Sequence, residues 1–209
     1  MNRRSRLVVV ASAVITLLLG STAFATSVVK MSLRDLAKNS DSIVLARVED
    51  QSARYDANKE IYTYITLRVL DPVKGSMKAE HGKNAVPDQL ITIRQIGGVV
   101  GSIASIVPGM PKFVKGEEVV VFLSKKDSAG YPWVMGLQQG KYSVVTDDQG
   151  MRHVKNELED LGLMNSDGSM AQAQAKAGEP MPLQAFLDGI RTDLNEAGKV
   201  QVDPTTPTE

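Results

Sequence analysis

The sequence predicts a mainly β protein: a small antiparallel, OB-like β-barrel, closed or partly open, with a short N-terminal helix and a C-terminal amphipathic helix. Three observations lead to this fold class. Seven short apolar or alternating segments follow one another along the middle of the chain, each bounded by turn residues. One segment is apolar on both faces, and closure of the sheet would protect so apolar a strand from exposure at an edge. The last part of the chain changes to helical periodicity. A β-sandwich is the alternative architecture.

The N-terminus has the three-part plan of a secretory signal peptide. Three arginines within the first six residues precede the apolar stretch Leu7–Gly20, whose 14 residues are fewer than the roughly 20 needed to cross a bilayer. Ala23 and Ala25 fit the small-x-small pattern, which predicts cleavage between Ala25 and Thr26. An uncleaved anchor is the alternative. We expect a periplasmic or secreted protein with no stable membrane anchor after cleavage.

Composition excludes several classes of site. The chain has 209 residues, with 24 basic and 24 acidic side chains, and removing residues 1–25 takes away three arginines and leaves a net charge of −3. The absence of cysteine excludes disulfides, thiolate metal sites and a cysteine nucleophile. With only His81 and His153, no zinc site of the usual kind is expected, and no basic run suggests a nucleic-acid partner. We predict no cofactor and no metal.

The first elements of the predicted domain are a capped helix and two strands. Ser32 and Asp35 have the spacing of a capping box, which predicts a helix up to about Asn39. Ser42–Asp50 is β-branched and apolar, as in a strand. Ile61–Leu70 alternates, with Ile61, Thr63, Ile65, Leu67 and Val69 on one face and Tyr62, Tyr64, Thr66 and Arg68 on the other. This alternation predicts antiparallel sheet with one solvated side.

The remaining strands surround a glycine-rich loop. Gln89–Ile96 is a third strand, and Gly97–Gly116, with five glycines and two prolines, is expected to be an ordered and partly buried loop. Glu117–Ser124 is apolar on both faces and is therefore predicted to be central. The last three predicted strands are Tyr131–Leu137, Lys141–Asp147 and Met151–Val154. Trp133 is expected in the core.

The sequence beyond the predicted barrel indicates a linker, a helix and a tail. We assign residues 26–163 to the β-barrel domain, 164–181 to a flexible linker, 182–198 to the helix and 199–209 to a disordered tail. Pro182 suits the first turn of a helix. The apolar positions of this helix form one stripe, made of Leu183, Phe186, Leu187, Ile190 and Leu194. We expect the stripe to dock on the barrel.

Three segments of the predicted barrel carry a resemblance. They are IYTYITLRVLDPVKG, ITIRQIGGVVGSIASIVPGMPKFVKGEEVVVFL and VMGLQQGKYSVV. Together they resemble exported bacterial proteins of unassigned function that share a GG loop, a GEEVVVFL-like strand and a G-x-x-x-G-K-[FY] hairpin. The first segment departs from the pattern of this group, because it has Pro72-Val73-Lys74-Gly75 where Leu-Lys-Gly is typical. The strand plan is similar to the OB barrel of metalloprotease inhibitors by analogy of fold alone.

The candidate binding surface is a polar sheet face beside the glycine-rich loop. Tyr62, Tyr64 and Arg68 share that face, and aromatic rings with a cation can form a ligand platform on an OB barrel. Cross-strand packing is the alternative explanation of the tyrosines. Gly97 and Gly98 open the adjoining loop, and long loops often carry function.

No catalytic constellation is legible in the sequence, so we predict that the protein is not an enzyme. The function predicted is that of an exported binding or interaction protein, whose partner would be another exported protein. Two alternatives stay open. One is an inhibitor or export partner of a secreted protease, and the other is a hydrolase whose carboxylates are brought together by folding.

Overall fold

The computed structural model describes residues 27–75, 89–158, 162–165, 167, 169 and 180–199. The predicted signal peptide with its cleavage site at Ala25 and Thr26, most of the predicted linker, residues 76–88 and the tail beyond Lys199 lie outside the described residues.

The described chain is mainly β. Its strands are β1 Ser27–Val29, β2 Ser42–Tyr55, β3 Ile61–Lys74, β4 Leu90–Ile96, β5 Gly98–Val100, β6 Ile103–Ser105, β7 Glu118–Leu123, β8 Lys141–Thr146, β9 Arg152–Lys155, β10 Gly162–Met164 and β11 Met181–Pro182. Its helices are α1 Leu33–Asn39 and α2 Leu183–Lys199, and a 3₁₀ turn spans Leu137–Gly140. The last helix begins at Leu183, one residue later than the sequence predicts, because Pro182 belongs to β11 and pairs with His153 of β9.

Seven of these strands form one antiparallel sheet in the order β11-β9-β8-β7-β2-β3-β4. β7 lies in the middle of this order, and the five residues Val119–Leu123 are buried on both faces. The prediction that this segment is a central strand is confirmed. The predicted loop Gly97–Gly116 contains a small hairpin, β5 paired with β6.

The sequence predicts a barrel that is closed or partly open; no closed barrel is found among the described residues, where the sheet remains open along β4. The segment Tyr131–Leu137, which the sequence predicts as a strand, lies between β4 and β7 but does not form one. It makes one bridge to β7, between Val134 and Leu123, and one backbone hydrogen bond to β4, from Arg94 N to Pro132 O (3.1 Å). Pro132 has no N–H to return to β4, so the ladder stops there.

Two hydrophobic cores lie on opposite faces of the sheet. One contains Val120 and Phe122 of β7 together with α1 and the stripe of α2, whose Leu183, Phe186, Leu187 and Ile190 are buried. The other contains the alternate residues of β7 together with Ile65, Leu67 and Val69 of β3. The period-two alternation of β7 divides its side chains between both cores, which explains why it is apolar throughout.

Side chains define both ends of α1. At its start the Asp35 N–H donates to Ser32 Oγ (3.0 Å), and the Ser32 N–H donates back to the Asp35 carboxylate (3.3 Å), which completes the capping box. At its end the Lys74 ammonium donates to the carbonyls of Ala37 (2.8 Å) and Ser40 (2.6 Å). A cation at this end of a helix also complements the helix dipole. These contacts fix α1 against the end of β3.

Candidate functional site

A groove of about 400 Å³ lies beside β4, between its C-terminal end and the segment 131–137. This volume falls within the range of about 300–1,000 Å³ that is usual for ligand sites. The lining is mostly apolar and comes from five separate parts of the chain. Its apolar side chains include Ile96, Met110, Pro111, Val134, Met135 and Leu137.

The groove adjoins the outer edge of β4 and extends over the sheet face that carries Tyr62. Arg94, Gln95 and Ile96 all line it, although neighbouring residues of a strand point to opposite faces. A space that touches all three must therefore adjoin the strand's own edge. The Gln95 side chain reaches the loop that carries Met110 and Pro111, where its Nε2 donates to Pro111 O (3.1 Å). Its Oε1 is buried and has no hydrogen-bond partner among the described residues.

The opposite wall is the segment that sequence analysis predicts as a strand, and its backbone turns away from β4 instead. Gly136 (φ +67°) and Leu137 (φ +58°) both lie in the left-handed region. A left-handed conformation is strained for leucine, and such strain is concentrated at functional sites. The Gln138 N–H then donates to Gly109 O (3.0 Å), which ties the turn to the loop that carries Met110 and Pro111. This departure from β4 leaves the space that forms the groove.

Trp133 stands at the rim of the groove, and the expectation that it belongs to the core is wrong. Its side chain is 54% exposed. The backbone N–H donates to Ser124 Oγ (3.1 Å), and the carbonyl accepts from the Ser124 N–H (3.0 Å), which fixes the chain at this point. Half-exposed tryptophan beside an apolar depression is typical of binding surfaces, since the ring offers a large apolar area.

One buried ion pair forms the polar part of the groove. Arg94 Nε and Asp127 Oδ2 are 2.7 Å apart, with side chains only 14% and 13% exposed. The Arg94 guanidinium also lies over the Tyr62 ring, 4.4 Å from its centroid. Asp127 accepts from the N–H groups of Ala129 (2.9 Å) and Tyr131 (3.1 Å). The two charges therefore neutralise each other and hold the loop 127–131 against β4.

Burial alone would raise the pKa of Asp127, but hydrogen bonds outweigh it. Donation from the Tyr131 N–H, the Arg94 guanidinium and the Ala129 N–H, together with the charge of Arg94, leaves the pKa below the ordinary value for aspartate. A carboxylate with a depressed pKa stabilises the fold at pH values above its unfolded pKa, about 3.9, and that stabilisation is lost as the pH falls through the folded pKa.

We therefore predict an acid-sensitive contribution from Asp127. The melting temperature of the wild type should exceed that of Asp127→Asn at neutral pH, because asparagine keeps the shape but loses the ion pair. This difference should shrink as the pH falls below about 4. Thermal melts followed by circular dichroism over that range would measure it. A difference that stayed constant down to the lowest pH would contradict the prediction.

The tyrosine and arginine residues predicted as a platform lie in different surroundings. Tyr62 lines the groove beneath Arg94. Tyr64 is only 9% exposed, with the Arg54 guanidinium 3.9 Å from its ring centroid and the Tyr131 ring at 5.2 Å in an edge arrangement. Arg68 donates to Glu49 Oε1 (2.7 Å). The expected solvated face is thus covered at Tyr64, and Tyr62 alone of the three borders the groove.

Gly97 and Gly98 line a second cavity, of about 310 Å³, which adjoins the groove. The two cavities share Gln95, Ile96, Met110 and Pro111 as lining residues. Both glycines have left-handed φ values, +96° and +137°. A side chain at Gly98 would also collide with Thr63 and Ala53, so the hairpin β5–β6 can approach β2 and β3 closely only with glycine there.

The resemblance motifs meet beside the groove. Lys141 of the G-x-x-x-G-K-Y motif forms an ion pair with Glu117 of the GEEVVVFL motif, and its ammonium lies 5.4 Å from the centroid of the Phe113 ring. The same motif contains Gln139, whose side chain accepts from the Met31 N–H (2.8 Å) and donates to Val29 O (3.0 Å), anchoring the N-terminal segment. Gln139 and Lys141 follow Leu137 closely in the chain, so these contacts fix the chain just after the groove wall.

Sequence analysis missed most of the groove. Arg94, Met110 and Asp127 are more than ten residues apart in the chain, and no local pattern joins them. The signal in the sequence is indirect: all three resemblance segments contain lining residues, such as Tyr62 in the first, Met110-Pro111 in the second and Gly136-Leu137 in the third. Within the described residues, no group of three or more acidic or histidine side chains is placed to hold a metal ion.

Comparison with known proteins leaves the resemblance untested. No family model matches the chain, and the search of curated proteins finds no match.

Proposed function

We propose that this chain is a non-enzymatic binding protein, and that its groove takes up an apolar part of a partner. The observation that carries the proposal is the half-exposed ring of Trp133 over a mostly apolar groove. Burying such a ring against a partner removes a large apolar area from water, and the favourable free energy is about 25 cal/mol for each Å² buried. The Arg94–Asp127 pair adds a polar wall without net charge.

The surrounding structure supports a preformed site. Both walls are held by specific contacts, the Arg94–Asp127 ion pair on one side and the Gln138–Gly109 hydrogen bond on the other. A site that is built before the partner arrives loses little conformational entropy on binding. The strained φ of Leu137 is also accounted for, because it turns the chain away from β4 and leaves the groove open.

Export is the second part of the proposal. The support is the pattern of arginines, apolar stretch and Ala23-Phe24-Ala25 at the N-terminus. Among the described residues no helix is long and apolar enough to cross a membrane. Mass spectrometry of the exported protein should find Thr26 as the first residue. A chain that retains Leu7–Gly20 would contradict the proposed cleavage.

We also propose that the fold is distantly related to OB barrels, as a barrel that stays partly open along β4. Its support is the pair of links that connect β4 back to β7 through residues 132–134: the Arg94–Pro132 hydrogen bond and the Val134–Leu123 bridge. The core containing Ile65, Leu67 and Val121 lies among the strands so connected. An experimental structure with β4 and residues 131–134 wide apart would contradict it.

Removing the Trp133 ring tests the binding function. A periplasmic extract is passed over the immobilised wild type and over Trp133→Ala, and each partner captured is then titrated against both proteins. We expect affinity to fall at least about tenfold in Trp133→Ala, as for a central aromatic anchor. Because Trp133 is the chain's single tryptophan, its emission should also change when the purified partner binds the wild type.

Tyr55→Ala is the matched control, since Tyr55 is another exposed aromatic residue (44%) and is not among those that line the groove. It should capture the same partners as the wild type. If Trp133→Ala also captured them with unchanged affinity, the groove would not be the binding site. If a turnover product appeared in place of a bound partner, the hydrolase alternative would be favoured instead.

A further inference from the structure

The outer edge of β4 carries main-chain groups that face the groove. The Gly97 N–H donates to Ile61 O (2.8 Å) and the Val69 N–H donates to Gln89 O (2.9 Å). Gln89, Gly97 and the odd-numbered residues of β4 between them therefore hydrogen-bond to β3. In an antiparallel pair, the N–H and C=O of one residue point to the same side, and successive residues alternate. Hence the N–H and C=O groups of Thr92, Arg94 and Ile96 point away from β3.

In the described part of the chain, one backbone hydrogen bond occupies this outer edge of β4. There the Arg94 N–H donates to Pro132 O (3.1 Å), and no other backbone partner for the outward groups of β4 occurs among the described residues. A cavity adjoins the edge on each side of that bond. The groove lies at Ile96, and a cavity of about 360 Å³ lies at Leu90 and Thr92.

We propose that the groove binds an extended peptide segment of another exported protein. The peptide main chain pairs with the N–H and C=O of Ile96, and one of its apolar side chains lies beside Trp133. This inference rests on the proposed binding function and names the chemistry of the partner. It is strand addition at a sheet edge, in which main-chain hydrogen bonds provide affinity and a side-chain pocket provides specificity.

Hydrogen bonding favours a peptide as the occupant. Ile96 presents a hydrogen-bond donor and an acceptor on the same edge, and a peptide main chain can pair with both at once. An acyl chain would bury these groups without partners, which is unfavourable because each group would lose its hydrogen bonds to water and gain none in return. A bound main chain also brings further N–H donors next to Gln95, whose buried Oε1 lacks one.

Charge and shape narrow the peptide further. The charged side chains that line the groove, Arg94 and Asp127, neutralise each other, so the bound segment should itself be uncharged. Met110 and Met135 line the groove, and methionine adapts to apolar side chains of different shapes. The expected ligand is an extended, neutral segment with apolar residues at alternate positions.

The test uses a library of random peptides displayed on phage and selected on the immobilised protein. Peptides that are enriched are synthesised with capped ends and titrated against the wild type, with Trp133 emission as the readout. We expect the enriched sequences to alternate apolar and neutral polar residues. Methylation of the one peptide nitrogen that donates to Ile96 O should weaken binding at least about tenfold, whereas methylation of its neighbour should weaken it less.

Two proline variants test whether the outer edge of β4 binds the peptide. Ile96→Pro removes an outward N–H that the β3 ladder does not use, and proline is tolerated on edge strands in that position. Thr92→Pro is the matched control, because it makes the same change on the same edge at the other cavity. Peptide affinity should fall at least about tenfold in Ile96→Pro and stay within about twofold of the wild type in Thr92→Pro.

The outcomes separate this inference from the proposed function. If peptides bind with a change in Trp133 emission but neither Ile96→Pro nor any single methylation matters, the groove binds side chains only and edge pairing is wrong. If no peptide is enriched and dodecanoate alone changes Trp133 emission, the occupant is an acyl chain. A wild-type dimer that Ile96→Pro dissociates would mean that a second copy occupies the edge. If no titrated molecule affects Trp133 emission, the proposed function itself fails.

Discussion

Val121→Asp should unfold this protein or leave it close to unfolding. Val121 is fully buried in the middle strand of the seven-stranded sheet, paired with Val44 on one side and Lys141 on the other. Its side chain lies in the core with Ile65 and Leu67. A carboxylate there must be buried without a partner or protonated, and either costs several kcal/mol. Native domains have only about 5–15 kcal/mol of stability to lose.

Val145→Asp is the control, since Val145 lies in the adjacent strand β8 and is 43% exposed. It should change the free energy of unfolding by no more than about 1 kcal/mol. Denaturant titrations followed by circular dichroism would measure both variants. A Val121→Asp protein with the midpoint of the wild type would show that Val121 does not occupy this core.

Gly140→Ala is the second substitution with a large expected effect. A methyl group at Gly140 would overlap the carbonyl oxygen of Met135 and press on the Val134 side chain. Backbone cannot yield as a flexible side chain can, so the 3₁₀ turn Leu137–Gly140 must distort. That turn carries Gln139, which anchors the N-terminal segment, and it borders the groove. We expect a loss of at least about 2 kcal/mol of stability together with weaker partner binding.

Gly189→Ala provides a control of opposite sign. Gly189 lies inside α2, and nothing stands within 4 Å of the position that a methyl group would take. Alanine should therefore raise stability by about 0.5–1 kcal/mol, because glycine loses more backbone entropy in a helix. Thermal melts of the two variants would separate the effects. Similar melting temperatures for both would contradict the close approach of Met135 to Gly140.

Elements whose signals are local could be predicted from the sequence. Ser32 and Asp35 are three residues apart, so their capping contacts depend on nothing beyond the first turn of α1. Val119–Leu123 is apolar at every position, and only a strand covered on both faces accommodates that pattern. The Gly97-Gly98 pair indicates unusual backbone, and both residues do have left-handed φ values.

The groove could not be predicted, because its parts come from distant places in the chain. Arg94 and Asp127 are 33 residues apart, and many other pairings of charges were equally compatible with the sequence. The sequence predicts Trp133 in the core, because an apolar residue between Tyr131 and Met135 has the pattern of a buried strand. Its exposure results from Pro132, Gly136 and Leu137, which end the pairing with β4 and turn the chain outward.

The sequence by itself determined the β-rich class of this protein, the central position of β7 and the apolar stripe of α2. Each follows from periodicity, which records how a segment is buried but not what covers it. Tertiary structure alone decided whether the sheet closes, where its free edge lies and which side chains meet beside that edge. These outcomes depend on hydrogen bonds and contacts between distant segments, such as the one from Arg94 to Pro132. The candidate site lies where one such long-range pairing stops after a single bond.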